Sequence, residues 1–145
     1  MFRHALLATA AAFAVAVTPT AAHADRFQDQ VSAQISRRLA VAAVGGFSLT
    51  DPVQFGALRQ GQTMTYTLTL DRDRQYILAA SCDIDCSDLD MTLSEPDGTV
   101  VVADRGADDQ PTLVIRGHGG THTIRVTMAR CGVGPCRFGL GVFGK

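Results

Sequence analysis

The segment Ser81–Gly98, SCDIDCSDLDMTLSEPDG, gathers two cysteines, five aspartates and one glutamate into eighteen residues. Residues of these types could cage a metal ion, or they could form an oxidised polar turn between strands. Calcium takes about six to eight oxygens from carboxylates, carbonyls and water. The candidate ligands are Asp88, Asp90, Asp104 and Asp108, with Asp83, Asp85 and Asp109 nearby in sequence. The run is not an EF-hand, because Asp88 occupies the sixth place after Asp83, where that loop needs glycine. On one strand, Asp88 and Asp90 would stand about 6.6 Å apart, so a shared ion needs Asp104 to close the gap across a hairpin. The competing reading gives Asp83 and Asp85 to the backbone amides of a disulfide-bridged turn. It pairs Asp88 and Asp90 with Arg105 or Arg116 on neighbouring strands. The residue types favour the stapled turn, and calcium is the one cofactor left open.

The four cysteines, Cys82, Cys86, Cys131 and Cys136, allow three pairings. The spacing favours Cys82–Cys86 and Cys131–Cys136, because each pair brackets a short polar or glycine-rich segment between expected strands. Bridges over loops this small contribute about 2 kcal/mol each by chain entropy, against about 4 for a 50-residue loop. They would shape loops more than hold a domain together. A four-cysteine zinc site is the rival, and its knuckle spacing is compatible; an oxidising compartment weighs against it.

Little else converges on catalysis, and no catalytic residue is assigned. There is no G-x-S-x-G elbow, so Ser81, Ser87 and Ser94 read as turn or surface residues. Bridged cysteines cannot act as nucleophiles, and neither pair is C-x-x-C. His118 and His122, in RGHGGTHTIRV, have the spacing of a helical metal pair, but a strand comes next. Along a strand they would stand about 13 Å apart, unless Gly119-Gly120 turns the chain.

The elements that must position these residues begin with an exported start. Arg3 and His4 precede an apolar run, Ala5–Val17, and Ala22-His23-Ala24 is a small-x-small site, so cleavage is expected before Asp25. The run is shorter than the roughly 20 apolar residues of a membrane span. Arg37-Arg38 lies beyond it and is not a twin-arginine signal. Cleavage leaves 121 residues with net charge −2, which gives no pull toward nucleic acid or anionic membrane. Residues 82–109 hold nine acids and only Arg105, whereas residues 110–145 hold five basic residues and no acid. Such asymmetry complements within one fold or marks two faces.

Asp25–Ala43 carries Phe27, Val31, Ile35 and Leu39 at four-residue spacing, with Gln28, Gln30, Gln34 and Arg37 opposite, and Gly45-Gly46 stops it. This predicts an amphipathic helix packed on the domain's own sheet, with docking on a partner as the alternative. Beyond Asp51 the chain reads as β. Thr63–Leu70 alternates strictly, and Gln75–Ala80 is the next strand. Asp88–Leu93 turns Leu89, Met91 and Leu93 inward. Glu95-Pro96-Asp97-Gly98 is a turn, and Thr99–Asp104 returns from it. Thr112–Arg116, His122–Met128 and Arg137–Phe143 complete about seven strands with close-set turns, the pattern of a sandwich or barrel.

From about Gly56 to Phe143 the sequence resembles the bacterial pre-peptidase C-terminal domain. The residues that carry the resemblance are Gly56-x-Leu58-x-x-Gly61 leading into Tyr66-x-Leu68, then Asp88-Leu89-Asp90-Met91, Pro96-Asp97-Gly98 and Gly120-Thr121-His122-Thr123-Ile124-Arg125-Val126. His122 stands where that family often has an aromatic residue, and the four cysteines are additional. The resemblance implies a jelly-roll-like β-sandwich and an accessory or binding role in an exported protein. With the helix read from the periodicity, the expected fold class is an all-β, jelly-roll-like antiparallel β-sandwich with one N-terminal amphipathic helix. The expected organisation is a signal peptide over 1–24, a helix over 25–46 and the sandwich over 47–145. The expected function is an exported, non-catalytic binding module, periplasmic or secreted, with a protein or glycan partner in the envelope. The alternatives are a calcium-binding domain and a structural envelope protein self-assembling through the helix.

Overall fold

The computed structural model describes residues 21–145. The expected signal segment, residues 1–24, lies outside the described residues except for its last four. Those four are helical: α1 spans Ala21–Val44 and starts ahead of the expected Asp25, its first turn being rich in alanine, the strongest helix former. It ends where Gly46 takes a φ of 83°. The amides of Gly45, Gly46 and Phe47 there bond back to Ala42, Ala43 and Ala42 at 2.9, 3.0 and 3.1 Å, a left-handed glycine cap.

Nine strands come after it among the described residues: β1 (Ser48–Leu49), β2 (Gln54–Leu58), β3 (Thr63–Leu70), β4 (Gln75–Cys82), β5 (Cys86–Ser94), β6 (Val100–Asp104), β7 (Thr112–Arg116), β8 (Gly120–Cys131) and β9 (Cys136–Gly144). All ladders are antiparallel. One sheet runs β9–β4–β7, with β1 and β2 both paired to the other edge of β9; the second runs β3–β8–β5–β6. The fold is therefore the expected antiparallel sandwich with one N-terminal helix. The short strands β1 and β2 were not anticipated, because neither is long and apolar enough to show a period of two. The Glu95–Gly98 turn closes the β5–β6 hairpin as expected, with Gly98 at φ 90° and the Thr99 amide bonding Asp97 Oδ1 at 2.8 Å.

The sheets bury a shared apolar layer. Tyr76, Leu78 and Ala80 of β4 and Phe138, Leu140 and Val142 of β9 meet Leu89, Met91 and Leu93 of β5 and Ile124, Val126 and Met128 of β8. The inward set of β5 is as expected. The sheet built on β9 is covered on its outer side as well, where Val31, Ile35 and Ala42 of α1 pack on Ala79 and Phe143, with Ile77 alongside. Two outward positions of β9 are glycine. A Cβ at Gly139 would stand 2.8 Å from Val31 Cγ1 and 3.2 Å from Ile35 Cγ1, so the helix rests there on bare backbone. Val31 is 0% and Ile35 3% exposed; the face that helix-driven assembly would need is spent on the chain's own sheet.

Both expected disulfides are present, Cys82–Cys86 and Cys131–Cys136, with Cα separations of 5.9 and 6.0 Å. Each joins a strand of one sheet to a strand of the other, β4 to β5 and β8 to β9. Two such bridges and no free cysteine among the described residues fit folding in an oxidising compartment. Among the described residues no helix is long and apolar enough to cross a membrane.

Gly139→Val should force α1 off β9. Overpacking of this kind costs about 1–3 kcal/mol, so a thermal melt should fall by several degrees. An unchanged melt would mean that the helix does not depend on the bare strand.

Candidate functional site

The helix does not cover its sheet evenly. Along one flank of the buried stripe run Gln34, Arg38, Val41 and Gly45, residues three and four apart that share a helical side. Together with Ile77 and Ala79 of β4, Phe143 of β9, and Phe47, they line an open cavity of about 560 Å³. Its floor is apolar because the outer residues of β4 and β9 face α1 rather than water. Its rim is closed by Arg38, which reaches from the helix to the start of β7. There Nη1 donates to Thr112 Oγ1 at 2.7 Å, and Nη2 donates to the Gln110 carbonyl at 2.8 Å and to Gln110 Oε1 at 3.1 Å.

Two polar atoms at this cavity are buried without a hydrogen-bond partner, Gln34 Oε1 and Arg38 Nε. One is an acceptor and the other a donor, one helical turn apart. Such orphaned groups are costly inside a protein. Burial lowers the pKa of Arg38 from its ordinary value, and the carboxylates of Asp108, Asp109 and Asp104 partly offset that. The guanidinium, with Asp108, Asp109 and Asp104 nearby, acts as a clasp between helix and loop through its bonds to Thr112 and Gln110. The cavity lining holds no His, Cys, Ser, Asp, Glu or Lys, so no general base or acid faces it. Gln34, expected on the solvent side of the helix, instead turns its Oε1 inward. Its place beside the stripe, four residues before Arg38, was the available signal.

The aspartates expected to bind calcium are spread over three elements. Asp88 and Asp90 lie on β5, Asp104 ends β6, and Asp108 sits in the β6–β7 loop. Asp104 is engaged by backbone: Oδ1 accepts from Gly106 N at 3.1 Å and Oδ2 from Thr112 N at 2.9 Å. Asp108 Oδ1 accepts from Gln110 N at 2.8 Å. Asp88 lies opposite Arg130 in the β5–β8 register, and its Oδ1 is buried without a partner. Burial, with Asp88 and Asp104 nearby, raises the Asp90 carboxyl above its usual range, and Arg105 partly offsets this. Arg116 pairs with Asp73 at 3.7 Å, whereas the expected pairing was with Asp88 or Asp90.

Two further expectations are corrected. Ser81 is 0% exposed within β4, not on a turn or the surface. Asp83 does bond the backbone of the bridged turn, but from inside: its Oδ2 accepts from Arg137 N at 2.6 Å and its Oδ1 from Asp85 N at 3.2 Å. His118 and His122 do not run along one strand. Gly119 and Gly120, at φ 84° and 88°, turn the chain between them, and both rings approach Glu95. Such turning needs glycine.

No protein-family model matches the sequence, and no curated protein matches it. Among solved structures, the chain is similar to PliG of Aeromonas hydrophila, a periplasmic lysozyme inhibitor of g-type lysozyme. The match has 14% identity and a TM-score of 0.45, and covers 64% of this chain and 84% of that one. At that distance the likeness speaks to neither ligand nor partner.

The raised Asp90 carboxyl sets the sign of a pH effect. The folded chain holds this proton more tightly than the unfolded chain, so the contribution of Asp90 to stability falls as pH rises through the folded value. Asp90→Asn should therefore melt higher than the parent at about pH 7 and match it at about pH 3, below both values. Calcium held by Asp88, Asp90, Asp104 and Asp108 would reverse the sign, the variant melting lower when excess calcium is present.

Proposed function

We propose that this chain is an exported, non-catalytic binding module whose ligand enters the cavity between α1 and the outer face of β4 and β9. The ligand is a small, chiefly apolar molecule carrying one group that both donates and accepts a hydrogen bond, a hydroxyl or an amide. The paired orphans, Gln34 Oε1 and Arg38 Nε, over an apolar floor carry this reading. The volume falls within the range of roughly 300–1,000 Å³ common to small-molecule sites. Because Arg38 already faces Asp104, Asp108 and Asp109, a fully charged acid gains little there, and a neutral polar end fits better. Export is supported by the two disulfides together with the signal-like sequence that precedes Asp25.

The test is a fluorescence titration with N-phenyl-1-naphthylamine, an apolar probe with one N–H; the chain has no tryptophan to interfere. Binding should saturate at one probe per chain. Val41→Phe, which narrows the cavity from a lining position that is itself 75% exposed, should strongly weaken it without lowering the melting temperature. Gln34→Leu, which removes the acceptor, should weaken it by up to about tenfold. Absence of saturable binding, or equal binding by Val41→Phe, would sink the proposal.

A further inference from the structure

At the end of the sandwich away from the disulfides, Glu95, His118 and His122 bring one ligand atom each to within 4.8 Å of the other two, and among the described residues no other three such groups converge in this way. The register explains the meeting. Ser94 pairs with Thr123 across β5 and β8, so the next residue, Glu95, faces His122. The backbone of Glu95 is pinned by the turn, its amide bonding the Thr99 carbonyl at 2.8 Å and its carbonyl accepting from Gly98 N at 3.0 Å. The left-handed pair Gly119-Gly120 then folds His118 back toward the same carboxylate.

The orientation of the His122 ring is fixed by its neighbours. The ring is 1% exposed, and Nδ1 lies 3.2 Å from the Gly120 carbonyl oxygen. A carbonyl only accepts, so Nδ1 carries the hydrogen. In the neutral ring Nε2 is then a bare lone pair, buried without a hydrogen-bond partner, 3.4 Å from Glu95 Oε1. Two acceptors face each other and need a positive charge between them. A proton on Nε2 would serve that pair. His118 adds a second imidazole, its Nδ1 3.8 Å from the same oxygen, and a third donor is what a metal ion uses and a proton does not.

We infer that Glu95, His118 and His122 form a binding site for a borderline divalent transition metal, with Zn²⁺ as the type ion. Two imidazoles and one carboxylate are a common zinc donor set, and the fourth place is left to solvent. A tetrahedral ion with bonds of about 2.0–2.1 Å sets its donors about 3.3 Å apart. The Glu95–His122 pair is already at that spacing. His118, whose side chain is 62% exposed, has the freedom to close the remaining gap. The Nδ1–H bond to Gly120 fixes the tautomer and aims Nε2, as the outer partner of a metal-bound histidine does. Calcium does not suit the site, because two of its three donors are nitrogen.

The test is titration of the oxidised protein with Zn²⁺ by calorimetry, alongside thermal melts with Zn²⁺, with Ca²⁺ and with EDTA. One Zn²⁺ should bind per chain and raise the melting temperature by several degrees at saturation, with Ca²⁺ producing no shift. Co²⁺ in place of Zn²⁺ should show the visible bands of a four-coordinate ion. His118→Ala and Glu95→Gln change exposed or half-exposed side chains and should keep the apo melting temperature. Each should weaken Zn²⁺ binding by at least about tenfold and abolish the Co²⁺ bands. No Zn²⁺ binding, or binding of equal strength in both variants, would overturn the inference.

Discussion

The contact on which the rest of this molecule depends is the seating of α1 on a strip of naked β9 backbone. Strands β4 and β9 are the centre of their sheet and are apolar on both sides, so their outer face must be covered. Gly139 lets the helix come close enough for Val31 and Ile35 to be withdrawn from water, and Gly141 leaves room for the Phe143 ring beneath it. Burial of each such side chain is worth about 1.5–3 kcal/mol, a large share of a small domain's net stability. The helix packs on β9 and β4 together, and its flank at Gln34, Arg38 and Val41 leaves a gap over the sheet. The cavity is the remainder of that fit.

The uneven charge of the sequence also finds its explanation in that region. The acid-rich segment does not form a separate negative face. Part of it turns inward as backbone acceptors, notably Asp83 and Asp104. Another part, Asp108 and Asp109 with Asp104, surrounds Arg38 of the helix, and Asp88 stands opposite Arg130. Residues far apart in the chain are thereby matched in sign. The β6–β7 loop, with no regular structure of its own, is ordered by these contacts and by its bonds to Arg38.

What could be read beforehand was whatever is local. The alternation in β3 and β5, the Pro-Asp-Gly turn, the four-residue stripe of α1 and the two short disulfides each declare themselves within about a dozen residues. What could not be read depends on pairing across the chain. Ser81 looks like a turn residue beside a cysteine until β4 is seen buried on both faces. Gly139 and Gly141 look like weak points in a strand until a helix is found above them. His118 and His122 look too distant on an extended chain, and only the β5–β8 register, together with the glycine turn, brings Glu95 between them. Gln34 and Arg38 carry no motif at all; their meaning comes from which flank of the helix faces the gap.

The two disulfides lie at one end of the sandwich, where Cys86 and Cys131 are opposite each other in the β5–β8 ladder. Each crosses from one sheet to the other, so this end is hinged by covalent bonds, while at the other end the sheets are joined only by packing and by the chain's own turns. Opening of the sandwich should therefore have a direction, with backbone amides around Glu95 and Gly120 expected to exchange with solvent before those beside the cysteines. The molecule is built like a clasp, closed permanently at one end, and everything that adjusts in it does so at the mouth.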